Sequence, residues 1–157
     1  CAAALSGCMG PEAEFGGAFS HGLGSLFSMK SAKVWLQKVN FVVSPYANDH
    51  SPVLVHVIIA HDANLLAHLK TLTAQQYFFQ FGQMQRDNPG KFQLYPWEIL
   101  PGQRVPPTTI KLERMSSEGI IVFARYRYPG PHRFVVGSQR EITINLGPQT
   151  FNVTSVR

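Results

Sequence analysis

From Lys33 onward the chain runs as short apolar stretches cut by Pro, Gly and Asn. In "KVWLQKVNFVV" (33–43), Trp35, Val39, Phe41 and Val43 recur at period two, the spacing of a strand with one face on a core. The next apolar run, "VLVHVIIA" (53–60), puts Val53, Val55, Val57 and Ile59 on one face and Leu54, His56 and Ile58 on the other. Apolar side chains on both faces predict a strand in a central position. Between the two lies "SPYANDHSP" (44–52), where Pro, Asn and Asp carry turn chemistry. It is longer than a tight hairpin requires, so it reads as an exposed loop.

The period then changes. In "HDANLLAHLKTLTAQQYFFQFGQMQ" (61–85), Asp62 is positioned to cap a helix over Ala63 to Lys70, with Leu65, Leu66 and Leu69 on one stripe. A second short helix is expected over Ala74 to Phe81, and "RDNPG" (86–90) ends the helical stretch. Further strands are expected at Phe92 to Leu100, Thr108 to Met115, Gly119 to Tyr128, Arg133 to Ser138, Glu141 to Leu146 and Phe151 to Val156. Turn-rich breaks at regular spacing separate them, the pattern of a β-sandwich. The reading is therefore a mostly β domain of seven or eight strands, residues 33–157, with a helical insert after the second strand. Trp35 and Trp97 are expected in its core.

Composition narrows the partners. The chain has 157 residues with 45% apolar content, enough for one core burying roughly two-thirds of the unfolded surface. Lys and Arg total 14 against 9 Asp and Glu, giving a formal charge of +5 and a pI near 9.5. The cations are dispersed, without the basic run that marks a nucleic-acid arm, so no nucleic-acid partner is expected. Arg125 and Arg127 alternate on one strand face, which reads as a solvated surface. No apolar stretch reaches the 18 residues needed to cross a bilayer as a helix.

Both cysteines lie in the opening "CAAALSGC". Small residues after an apolar core have the texture of an export signal, and Leu5-Ser6-Gly7-Cys8 resembles the bacterial lipobox. A chain beginning on Cys1 instead favours Cys1 as the lipidated residue, with Cys8 the alternative and a local Cys1–Cys8 disulfide a third possibility. "MGPEAEFGGAFSHGLGSLFSMK" (9–30) is glycine-rich and lacks strand alternation, so residues 1–32 read as a lipidated terminus and tether. As a flexible coil the tether reaches roughly 25 Å.

Catalytic signatures are lacking: there is no Gly-x-Ser-x-Gly elbow, Walker loop or dinucleotide fingerprint. His56, His61 and His68 fall on a strand, a loop and a helix, which fits no standard metal spacing. Glu98, Glu113, Glu118 and Glu141 are scattered, although a glycosidase-type carboxylate pair needs no local signature. No enzyme activity, metal or cofactor is expected.

Several short stretches, in order, resemble the TssJ family of type VI secretion lipoproteins. They are "SPVLVHV" (51–57) after Asn48-Asp49, "QYFF" (76–79), "LPGQ" (100–103), "IIVFARYR" (120–127) and "ITINLGPQTFNV" (142–153). The resemblance covers residues 33–157 and implies a transthyretin-like β-sandwich, anchored by lipid in the outer membrane and facing the periplasm. It implies membership of a multi-subunit complex and a partner, the periplasmic domain of the inner-membrane protein TssM. In that family the loop joining the first two strands contacts TssM, and here this is Ser44 to Pro52. Within it Pro45, Tyr46, Asn48, Asp49 and His50 are the expected partner-binding residues: Tyr46 as an amphipathic anchor, the polar residues as hydrogen-bonding groups, and the prolines as restraints on unbound freedom. The competing readings are a periplasmic ligand-binding or hydrolytic β-sandwich, and a lipoprotein of another secretion machine. Convergent His and Glu side chains in a cleft would favour the hydrolytic reading; a protruding 44–52 loop favours docking.

Overall fold

The computed structural model describes residues 35–112 and 117–156; the lipidation candidates Cys1 and Cys8 and the whole of the 1–32 tether lie outside them. Among the described residues, eight strands and two helices follow in chain order. They are β1 (Lys38–Val43), β2 (Val53–Ala60), α1 (Ala63–Leu69), α2 (Ala74–Asp87), β3 (Phe92–Ile99), β4 (Thr108–Thr109), β5 (Gly119–Arg125), β6 (Arg133–Val136), β7 (Glu141–Leu146) and β8 (Phe151–Val156). One sheet has the order β4-β1-β7-β8 and the other β3-β2-β5-β6. All neighbours are antiparallel except β1 and β7, which run parallel from Lys38↔Glu141 to Val43↔Leu146. The architecture is the expected mostly β sandwich with helices after the second strand.

The main core lies between the sheets, where Val53, Val55, Val57 and Ile59 of β2 meet Val39 of β1 and Ile142, Ile144 and Leu146 of β7. A second cluster joins Ile58, Ile121 and Phe123, on the outer face of the β2 sheet, to Leu65, Leu69, Leu72, Tyr77 and Met84 of the helical insert. This double covering is why β2 reads as apolar on both faces. Each large apolar side chain so buried contributes roughly 1.5–3 kcal/mol. Gly119 lets the insert sit close, since a Cβ there would fall 2.6 Å from Leu66 Cδ2.

Local chemistry explains where the boundaries differ from expectation. The helix expected to stop at Phe81 runs to Asp87. Thr73 and Gln76 close a capping box at its start, and the helix runs through Gly82, a single glycine costing it only about 1 kcal/mol, to end at Asn88-Pro89-Gly90. The strand expected from Thr108 to Met115 pairs only at Thr108–Thr109. Lys111 leaves the ladder because its N–H donates to Tyr95 Oη and its carbonyl accepts from Gln93 Nε2; residues 113–116 lie outside the described residues. Tyr128 was expected within β5, but the strand ends at Arg125, with the Arg127 N–H taken by the Asn48 side chain. β6 ends at Val136, where Gly137 N–H turns to Gln139 Oε1. Trp97 packs half-buried on the core, edge-on to Phe41 at 5.0 Å. Trp35 does not join it: the first strand begins at Lys38, and Trp35 precedes it with 53% of its surface exposed.

Candidate functional site

The Ser44–Pro52 loop is a compact turn at one end of the sandwich, held on several sides. Asn48, Asp49 and His50 have consecutive positive φ values of 48°, 52° and 61°. Such left-handed conformations are costly for residues with a Cβ, so something must hold them. Asn48 N–H donates to Gly147 O and Asp49 N–H to Pro148 O, tying the loop to the β7–β8 turn. Gly102 N–H donates to Ser44 O, and Pro45 packs on the Gly102 backbone, where φ of +71° suits glycine.

Asn48 binds these contacts together. Its side-chain amide donates to Pro52 O at 2.9 Å, and its Oδ1 accepts the Arg127 N–H at 2.7 Å. It is 3% exposed, which corrects the expectation that it offers hydrogen bonds to a partner: its amide is consumed inside the protein. The outward groups are Pro45, Tyr46, Asp49 and His50. Tyr46 is 60% exposed, with its ring edge-on to His50 at 5.3 Å. The loop therefore presents an aromatic pair, a carboxylate and a proline ring on a fixed base.

Beside the loop lies a cleft of about 590 Å³, lined among others by Ser51, Leu54, Gln75, Glu98, Arg125 and Arg127. The two arginines, expected on a plain solvated strand face, form part of this wall. Arg127 Nη1 donates to Ser51 Oγ at 3.2 Å, so it also braces the loop. His132 reaches the lining, but both ring nitrogens are engaged. Nε2–H donates to Tyr128 O at 2.7 Å, and Nδ1 lies 3.2 Å from Thr150 Oγ1.

The remaining sequence candidates are dispersed. His56 is under α2, with Nδ1 2.8 Å from Tyr77 Oη, and burial lowers its pKa from 6.5 to about 4. His68 is exposed on α1, and His61 sits at the β2–α1 junction. Glu98 is on β3 in one sheet, and Glu141 is on β7 in the other. Asn40 Nδ2 donates to Glu141, and Lys38 lies 3.4 Å away; these contacts, the amide's first, lower that carboxyl's pKa. Sequence reading missed the bracing role of Asn48. Its only local signal was Asn before Asp in a long loop, a pairing that tolerates left-handed backbone.

No family model matches the sequence, and no curated protein matches it. Solved structures do. The type VI secretion lipoprotein TssJ1 of Pseudomonas aeruginosa superposes with a TM-score of 0.57 at 15% identity, covering 76% of this chain and 95% of that one. The described fold is the TssJ fold. The Serratia marcescens lipoprotein Lip, a membrane-bound component of the type VI secretion system, gives a TM-score of 0.56 at 12% identity, covering 77% of this chain and 96% of its own. At such low identity the likeness is one of fold.

Proposed function

We propose that this protein is a non-enzymatic assembly lipoprotein of a type VI secretion membrane complex. It is held in the outer membrane by a lipid on Cys1, with Cys8 the alternative, and docks on the periplasmic domain of a TssM-like inner-membrane protein. The TssJ fold supports the system. The observation that carries docking is the 44–52 loop, in which a left-handed turn braced by Asn48 holds exposed Tyr46, Asp49 and His50. A surface ordered before binding loses less freedom on association. Pro45, Tyr46, Asp49 and His50 then form the contact, and Asn48 is a positioning residue beneath them. The hydrolytic reading needs a free acid–base pair in the cleft, whereas His132 is committed on both nitrogens.

The test is capture of a purified TssM-like periplasmic domain. Tyr46→Ala with Asp49→Ala should weaken it by about 2 kcal/mol, on the order of thirtyfold in Kd. Both side chains are exposed, so the main cost in stability is about 1 kcal/mol, from placing Ala at the positive φ of Asp49. Unchanged capture in the double variant sinks the docking loop.

A further inference from the structure

We propose that the cleft beside the 44–52 loop is a carboxylate-binding subsite, filled on docking by an acidic side chain from an extended segment of the protein partner. The inference rests on the docking reading for the identity of the partner; the chemistry of the cleft stands on its own residues. The Arg125 guanidinium makes no hydrogen bond or ion pair among the described residues, and Arg127 spends one N–H on the neutral Ser51 hydroxyl. A guanidinium carries donors in a fork that matches a carboxylate two by two. Across the 128–132 ridge lies a second cavity of about 540 Å³ with one arginine, Arg133, which is already committed to Leu72 O at 2.6 Å. Of the three, only the Arg125 guanidinium is unengaged, and Arg125 lines the cleft by the loop.

Topology explains why they stand there. Leu54 pairs with Glu98 on one side and Arg125 on the other, forming the last row of the β2 sheet that spans three strands. The cluster under the helices takes in Ile58, Ile121 and Phe123, and α2 starts at Ala74 on the rim of the cleft, so this terminal row stays open. Half-buried Leu54 and Tyr126 supply an apolar surface for the methylene stem of an acidic side chain. Glu98 decides between anions. It places a negative charge in the same wall, which disfavours a multiply charged phosphate but accepts a backbone N–H from a peptide carrying the carboxylate. The loop and the cleft are also tied together by hydrogen bonds. Asn48 holds the Arg127 N–H and Ser51 holds its guanidinium, so a partner seated on Tyr46 meets a cleft already in position.

The test has two arms. In the first, the ¹⁵N-labelled protein is titrated with a doubly capped tetraglutamate peptide. Shifts should concentrate at residues 51–54, 74–75 and 125–132, and Arg125→Glu and Arg125→Gln should each weaken binding about tenfold. Equal shifts around Lys70, Lys91 and Lys111 overturn the subsite. Tighter binding of inorganic phosphate or phosphatidylglycerol vesicles at the cleft overturns it in favour of a phosphate site. In the second arm, Arg125→Glu should raise the Kd for the TssM-like periplasmic domain at least about tenfold, with an unchanged melting temperature. If Arg125→Glu binds like wild type while Tyr46→Ala with Asp49→Ala does not, the cleft proposal fails and the docking loop stands. If wild type is not captured at all, the docking reading fails, and the peptide arm alone decides the cleft.

Discussion

The outer face of the β2 sheet has two ends built to opposite rules. At one end His56 and Phe123 of the sheet form an aromatic layer with Tyr77, Phe78 and Phe81 of α2, with Tyr77 stacked on Phe123 at 4.2 Å and 5°. At the other end the same face finishes in Leu54, Glu98 and Arg125, open to solvent. The strands run through both ends without interruption, so backbone geometry does not distinguish them. The difference lies in where the capping box at Thr73 starts the helix. One end is committed to stability, and the other is left free to bind.

That contrast is broken most severely at Tyr77, which is fully buried. Tyr77→Ala should cost about 3–5 kcal/mol of unfolding free energy, the range for removing a large core side chain. Urea denaturation measures it, and a loss under about 1 kcal/mol would mean that the insert is not seated on the sheet.

Next in size is Asn48→Ala, which leaves the Arg127 N–H and Pro52 carbonyl without their partner and puts a Cβ-bearing residue with no compensating amide at φ 48°. A cost of about 2–3 kcal/mol is expected. Because the loop loses its brace, capture of the TssM-like domain should fall together with the melting temperature. This differs from Tyr46→Ala with Asp49→Ala, where capture falls with a much smaller loss of stability. An Asn48→Ala variant with wild-type stability would show that the brace is dispensable.

The smallest effect depends on pH. Burial lowers the His56 pKa from 6.5 to about 4, so below pH 6.5 the unfolded chain binds this proton more readily than the folded one. Stability from this group is present above pH 6.5 and lost as pH falls from there to about 4. Partial solvent access to the half-buried ring limits the loss to about 1–2 kcal/mol. Melting temperatures between pH 7 and pH 4 should show this decline, and His56→Gln should flatten part of it. Parallel pH profiles for the two proteins would remove His56 as the cause.

Much of this architecture was legible in the chain because its causes are local. The two apolar faces of β2, the Asp62 cap and the bounds of β7 and β8 follow from side chains a few residues apart. The failures share the opposite property. Lys111 leaves its strand because Tyr95, distant in sequence, takes its N–H, and β5 stops short because Asn48 reaches Arg127. Side-chain capture of a distant backbone group leaves no periodic trace. The candidate site was legible as a loop and opaque in its workings: Tyr46 is outward as expected, while Asn48 is turned inward and the arginines belong to a cleft formed only when β2, β3 and β5 pair. Trp35 misled because the two-residue period of β1 can be extended backward to residues ahead of the first paired one, Lys38.

The parallel pairing of β1 with β7 has a mechanical meaning. A chain pulled from the side preceding β1 and held at the 44–52 loop transmits tension through the six residues of β1 alone. That force runs along the strand, so the ladder from Lys38↔Glu141 to Val43↔Leu146 is loaded in shear, with its hydrogen bonds sharing the strain instead of opening one after another. At the far end, Ser44, Asn48 and Asp49 are tied to Leu146, Gly147 and Pro148, which carries the load across into β7. A sandwich wired in this way withstands a pull along β1 with little tendency to unzip.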